Sequence, residues 1–241
     1  MRELLVINPN TTPSVTRLLA QHAQTVAGAD VRVTTLQARF GAPYISDETS
    51  YAVAGHATLD AYLQHTRNHH AAPSAVLIGC FGDPALFALQ EISDAPVTGL
   101  AAASFLEAAL QGPFAIVTGG ERWPAMLTRL AHALGYADTL AGSFTVQATG
   151  AQLAADPVAA QVVLRDACLA ALEKFQVNSL ILGGAGLAGM AAELQHALPV
   201  PIIDSVQAGV RQAVRAMSRT TGVARHKPDV SWFKTEGVIP D

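Results

Sequence analysis

The 241-residue chain has two thiols, Cys80 and Cys168. A cysteine does chemistry as its thiolate, so the surroundings decide which of them is reactive. Cys80 follows the apolar run Val76-Leu77-Ile78 and sits in a Gly79-Cys80-Phe81-Gly82 turn. Asp83-Pro84 then reads as N-cap and first residue of a helix. That would set the thiol at the positive end of a helix dipole, where the thiolate is favoured and the pKa falls. The flanking glycines let backbone amides come close to a ligand. Cys80 is therefore the strongest candidate for chemistry. Cys168 lies inside the helical stretch 156–174, with Val158, Val162, Leu169 and Leu172 at apolar positions. A helix interior offers a ligand no oriented donors, and Cys168 is expected to be inert packing.

Other groups able to hold a ligand sit in similar turns. Asn10 and Thr11 follow the run Leu4–Ile7, where side chains and helix-start amides could take a carbonyl or carboxylate oxygen. Helix capping alone can account for Thr12. Thr118 and Gly119 hold the equivalent place after Phe114–Val117, and Gly183-Gly184-Ala185-Gly186 ends another apolar run. His65, His69 and His70 have a spacing that zinc sites use, but no acidic residue or thiol completes the set locally, and no metal is expected. His22, His56, His132 and His196 read as helix-face residues and His226 as part of a polar tail. The glycine turns match neither a P-loop nor a dinucleotide fingerprint.

These turns need elements to hold them. Short β-branched runs alternate with Ala/Leu-rich helical stretches. Strands are expected at 4–7, 31–36, 75–78, 97–100, 114–118, 143–146, 179–182 and 201–203. Most are continuous apolar runs, as in parallel strands covered on both faces. Val15, Leu18, Leu19, His22 and Val26 share one helical face behind Thr12-Pro13 as N-cap and N1. The order of elements predicts an α/β fold with parallel sheets. There is also an internal repeat. Residues 76–82 (VLIGCFG) are echoed by 180–186 (LILGGAG) at an offset of 104, and 5–10 resembles 115–120. The chain reads as two pseudo-symmetric α/β halves, 1–110 and 111–241, meeting near residues 108–113. The C-terminal helix is a candidate to complete the first half. Ligands of open α/β sheets bind beyond the carboxyl ends of strands, so two facing halves would gather the four turns around one cleft.

Half of the residues are hydrophobic, 14% are charged, and the formal charge is −4. Such a chain can bury a core, and its acidic balance excludes a nucleic-acid binder built on a basic face. No run approaches the roughly 20 apolar residues of a membrane span, and the first residues lack a signal-peptide core. A cytoplasmic protein with no membrane partner is expected. The tail after Arg219 is apolar only at Val230, Trp232 and Phe233.

Ile7-Asn8-Pro9-Asn10-Thr11-Thr12, Ile78-Gly79-Cys80-Phe81-Gly82-Asp83-Pro84 and Leu182-Gly183-Gly184-Ala185-Gly186 together resemble the hydantoin and allantoin racemases, a branch of the aspartate/glutamate racemase superfamily. The resemblance runs over nearly the whole chain. It implies two Rossmann-like halves with the active site between them, no cofactor, a small substrate bearing a carbonyl or carboxylate, and assembly as a homo-oligomer. It implies two cysteines on opposite faces of the substrate carbon, one removing the α-proton and one returning it. Cys80 matches the first, and Gly184 stands where the second belongs. By the same resemblance, substrate contacts fall to Asn10, Thr11, Ile45, Phe81, Gly82, Thr118, Gly119, Gly184, Ala185 and Gly186, with the loop 43–46 closing over the site. Gly184 widens one wall and Phe81 adds an apolar surface, as a ring or bulky substituent would need.

Three readings stay open. A racemase would use another donor at the second face, water or a side chain near Gly184. A one-cysteine lyase of the arylmalonate decarboxylase type would protonate a single face, with Thr11, Thr118 and Tyr44 as hydroxyl donors. A non-catalytic protein would only bind a small carbonyl compound.

Overall fold

The computed structural model describes residues 1–68, 72–148, 152–153 and 156–218. His69, His70 and His226, and the tail residues Val230, Trp232 and Phe233, lie outside the described residues. All eight expected strands are present. They are β1 (Arg2–Asn8), β2 (Val31–Gln37), β3 (Ala75–Ile78), β4 (Val97–Gly99), β5 (Phe114–Gly119), β6 (Leu140–Val146), β7 (Ser179–Gly183) and β8 (Ile202–Asp204). Two expected strand residues fall outside at junctions: Leu100, which starts a helix, and Pro201, which precedes β8.

The strands form two four-stranded sheets, ordered β2-β1-β3-β4 and β6-β5-β7-β8, and every pairing is parallel. The second sheet repeats the order of the first, as the internal repeat requires. β3 and β7 are central, and each of their residues is buried. That burial on both faces is why their sequences are unbroken apolar runs.

The crossovers carry helices α1 (Pro13–Ala27), α2 (Glu48–Asn68), α3 (Leu86–Ile92), α4 (Leu100–Ala109), α5 (Trp123–Ala133), α6 (Pro157–Lys174), α7 (Met190–Leu194) and α8 (Ser205–Ala216). Helix α1 starts as expected, with Thr12 at the N-cap and Pro13 at N1. The Thr12 hydroxyl caps nothing, however; it donates to the Pro43 carbonyl at 2.6 Å. Helix α6 buries Ala160, Leu164, Ala167, Cys168 and Ala171, while Val158, Val162 and Leu169 face outward. Its small residues let it lie close on the second sheet, and Cys168 is fully buried packing. Helix α8, last in the described chain, packs against α1, α4 and β3.

One aromatic chain links the halves. Phe81 meets Phe105 of α4 edge-on at 6.2 Å, and Phe105 lies 5.6 Å from Phe114 of β5. Phe105 and Phe114 are fully buried, and burying each stabilises the fold by about 1.5–3 kcal/mol. Among the described residues, no helix is long and apolar enough to cross a membrane.

Candidate active site

The carboxyl ends of four strands meet at one cleft of about 600 Å³, its open mouth included. Asn10 follows β1, Gly79-Cys80-Phe81 follows β3, Thr118-Gly119 ends β5, and Gly183 through Leu187 follows β7. Pro43, Tyr44 and Ile45 come from the loop between β2 and α2, Val15 from α1 and Trp123 from α5. Of the eleven expected site residues, the structure brings together Asn10, Ile45, Cys80, Phe81, Thr118, Gly119, Gly184, Ala185 and Gly186.

Thr11 and Gly82 lie outside this lining. The Thr11 amide donates to the Ala42 carbonyl at 3.2 Å and its carbonyl accepts from Gln37, so its backbone anchors the neighbouring loop. Gly82 lies under the Trp123 ring: a Cβ there would sit 2.4 Å from the indole. The Gly82 carbonyl also accepts the Tyr51 hydroxyl at 2.8 Å.

The turn after β3 departs from the sequence reading. Asp83 does not cap α3, whose N-cap is Ala85 in the left-handed region. Its carboxylate instead accepts from the amides of Ala101 at 2.9 Å and Ala102 at 2.7 Å, at the start of α4. Gly99 makes this close approach feasible, since a Cβ there would fall 2.1 Å from the Asp83 carboxyl carbon. The consequence for Cys80 reverses the expectation of a depressed pKa. Burial, and then the nearby Asp83 carboxylate, raise the thiol above its ordinary value. Burial pushes Asp83 itself up to about 7, against the pull of the backbone amides that it accepts from. The partly buried Tyr51 phenol is raised by burial and by the charges of Asp83 and Cys80.

On the first wall, Asn10 is locked by its oxygen, which accepts from the Asn8 carboxamide at 3.0 Å and the Thr12 amide at 2.9 Å. Neither bond uses the Asn10 amide hydrogens. On the second wall, the Thr118 hydroxyl donates to the Gly183 carbonyl at 2.7 Å, and the Ser205 hydroxyl accepts from the Gly184 amide at 3.1 Å. Gly184 has φ +148°, a conformation L side chains rarely adopt, although a Cβ would find open space up to Leu187 at 3.4 Å. The Phe81 ring reaches across to this wall and lies against Gly183.

The loop of Tyr44 and Ile45 is held by Thr11 and Thr12 at one end and by Ser50 at the other, where the Ser46 and Asp47 amides donate to its hydroxyl. Ile45 is buried and packs in the core with Cys80 and Phe81. The Tyr44 hydroxyl crosses to the second half and donates to the Gly119 carbonyl at 3.3 Å. At the mouth, the ion pairs Glu48–Arg129 and Asp47–Arg122 also join the halves.

Sequence reasoning missed Val15, Trp123 and Leu187; it put Pro43, Gly79 and Gly183 in the loop and turns around the cleft without a role of their own, and gave Tyr44 only a loose hydroxyl role. Trp123 left one signal: a bulky aromatic just beyond the 118–121 turn, at the start of the next helix. Its contact with the Cys80 turn spans the two halves and has no spacing signature.

Among the described residues, no acidic or basic side chain and no histidine lines the cleft. The arrangement offers one thiol, amide and hydroxyl donors, and apolar walls. Such a cleft suits a neutral carbonyl compound better than a zwitterion, which would lose hydration without gaining a counter-charge.

Comparison with known proteins agrees with this fold. A hydantoin racemase of Pseudomonas sp. (strain NS671) is 31% identical over 219 residues, covering 88% of this chain and 84% of the relative. The solved structure of an allantoin racemase from Klebsiella pneumoniae superposes with a TM-score of 0.83 at 28% identity, over 95% of this chain and 92% of that one. An arylmalonate decarboxylase shares the fold at a TM-score of 0.61 and 18% identity, over 94% of this chain and 96% of that one. The family model described as Asp/Glu/Hydantoin racemase matches residues 4–213. The chain belongs to the Asp/Glu/hydantoin racemase family.

Proposed function

We propose that the protein is a cofactor-independent racemase that moves a proton at the carbon α to a carbonyl, on a small neutral substrate of the hydantoin type. Cys80 is its acid/base. The observation that carries this reading is a single thiol opening on an uncharged cleft between two parallel sheets, in a chain whose family members include hydantoin and allantoin racemases.

An α-proton is weakly acidic, so its removal needs a positioned base and donors for the enolate oxygen. The Cys80 thiolate is the base. Among the described residues the Asn10 amide hydrogens are free to serve as donors. So are the amides of Ala185 and Gly186, which open the 3-10 turn after β7 and have no acceptor inside that turn. Phe81, Ile45 and Trp123 give the ring substituent an apolar seat. The raised thiol pKa keeps Cys80 protonated in the empty site and makes the thiolate a stronger base when it forms.

Gly184 favours one other reading. With no side chain there, the enzyme could protonate one face only, as a lyase that releases carbon dioxide from a malonate. One set of measurements separates the two. Pure enantiomers of 5-substituted hydantoins, allantoin and amino acids are followed by proton NMR in deuterated water, with optical rotation in parallel and Cys80→Ala as control. Exchange of the α-proton with decay of rotation is expected of the hydantoins, and Cys80→Ala should lose the decay and the exchange of at least one enantiomer. Exchange with rotation retained, or carbon dioxide release from an arylmalonate, favours the lyase. Equal exchange by Cys80→Ala removes the case for the thiol.

A further inference from the structure

We infer that Tyr44 is the second acid/base of the site, serving the face of the substrate carbon opposite Cys80. This rests on the racemase reading, which requires a proton donor on each face and finds no side chain at Gly184.

The argument begins with what the cleft contains. A residue that alternately gives and takes a proton must be titratable. Of the described side chains lining the cleft, only Cys80 and Tyr44 carry groups of that kind. Asn10 and Trp123 donate hydrogen bonds without ionising. Thr118 lies on the correct wall, but its hydroxyl proton is committed to the Gly183 carbonyl at 2.7 Å, and aliphatic hydroxyls are not in the titratable set.

Placement supports the assignment. Cys80 follows β3 of the first sheet. Tyr44 begins in the first half, yet its hydroxyl ends at the Gly119 carbonyl, where β5 of the second sheet terminates. β5 pairs directly with β7, Thr118 beside Gly183, so this hydroxyl stands on the same wall as Gly184. A Cβ at Gly184 would meet only Leu187, so this part of the wall presents bare backbone to the cleft. The bond from Tyr44 to Gly119 is long at 3.3 Å, and the phenol can exchange this acceptor for a carbanion without a large loss. The loop itself is fixed, through Thr12 to Pro43 and through buried Ile45, so the phenol is presented from a rigid support.

The step balances without a redox partner. The Cys80 thiol first releases its own proton to solvent, and the thiolate then takes the α-proton: the C–H bond breaks, S–H forms, and the electron pair moves onto the carbonyl oxygen. The enolate pair then returns to carbon and takes the Tyr44 proton on the far face, leaving thiol and phenolate. The reverse passage, or proton exchange with solvent, resets both groups.

The test uses each pure enantiomer of 5-benzylhydantoin in deuterated water, with the full-length protein and its Tyr44→Phe and Cys80→Ala variants. Chiral chromatography reads inversion and NMR reads exchange. Tyr44→Phe keeps the ring and removes the hydroxyl, and a melting temperature near that of wild type is the control that the fold is kept. It should lose inversion by about 100-fold or more, the usual contribution of a positioned acid/base. It should still exchange the α-proton of the enantiomer that presents it to Cys80, and lose exchange of the other. Cys80→Ala should show the mirror-image pattern. Inversion by Tyr44→Phe within threefold of wild type overturns the inference and leaves the racemase reading standing. So does equal loss of exchange from both enantiomers in a folded Tyr44→Phe protein. A wild-type protein that neither exchanges nor inverts the substrate overturns the racemase reading, and the inference with it.

Discussion

Gly99→Ala should destabilise the protein by about 3 kcal/mol, through a residue that touches no ligand. The added Cβ would stand 2.1 Å from the Asp83 carboxyl carbon and 2.3 and 2.5 Å from its oxygens. The backbone cannot recede, because Gly99 pairs with Ile78 in the parallel ladder of β4 and β3. The carboxylate must therefore leave the start of α4, which strands the Ala101 and Ala102 amides. A buried donor left without an acceptor costs about 1–3 kcal/mol, and the loss of a helix cap about 0.5–2 kcal/mol, terms that overlap here. Urea unfolding at pH 7, followed by circular dichroism, measures the change. With a slope of about 2–3 kcal/mol per molar, the midpoint should fall by roughly 1–1.5 M. The mechanism is tested by a double-mutant cycle with Asp83→Ala, which strands the same amides. Gly99→Ala should add little in that background. A full additional loss in the double mutant, or a change under about 1 kcal/mol in the single, would refute the claim that Asp83 occupies the helix start at Gly99's expense.

Other consequences of the same geometry are open to measurement. The nearby Asp83 carboxylate helps to raise the Cys80 thiol, so Asp83→Asn should move the rising limb of the pH–rate profile to lower pH; a limb that stays in place or moves up contradicts this. Asp83 also links folding to pH. Its folded value of about 7 lies above the ordinary 3.8, so the folded state keeps a proton that the unfolded state has released. The contribution of this group is complete below about pH 4 and is lost as pH rises through about 7, by at most about 1.4 kcal/mol per pH unit. The stability gap between wild type and Asp83→Asn should accordingly shrink from pH 5 to pH 8 in thermal melts. Trp123→Phe uncovers part of Gly82 and the cleft wall, and should raise KM for a bulky hydantoin more than it lowers kcat. Cys168→Ala removes a fully buried thiol that does not line the cleft, and should lower stability by about 1–2 kcal/mol while leaving turnover at the wild-type value.

Much of this molecule is legible in its sequence for a physical reason. Parallel strands covered on both faces must be apolar throughout, and β1, β3, β5 and β7 stand out for that reason. Functional turns at the carboxyl ends of such strands follow at once. Asp83-Pro84 is where local reading fails. An acidic residue before a proline looks like the cap of the helix that follows, yet the amides it serves are 18 and 19 residues downstream. Capping rules read neighbours in sequence, whereas a carboxylate serves whichever orphaned donors the tertiary fold brings near. Trp123 and Tyr44 were obscure for a related reason: each reaches the cleft from one half and makes its telling contact in the other.

The two halves show how a repeat can persist in its strands and diverge at its joints. In the second half the carboxylate is Asp204, at the end of β8 itself. It caps α8 through the Val206 and Gln207 amides and reaches back to the Gly189 amide at 2.6 Å. In the first half that strand end is Gly99, and the carboxylate arrives from the turn after β3 as Asp83. Each half thus ties its central turn to its last helix with one carboxylate, but from opposite sides of the joint. The difference bears directly on the chemistry. Asp83 belongs to the Cys80 turn, so its charge acts on the thiol. Asp204 belongs to β8, and the turn at Gly184 is left without an acid of its own. A proton supplied to that wall must come from outside the repeat, and the loop of Tyr44, which has no counterpart contact in the second half among the described residues, is the element that reaches it.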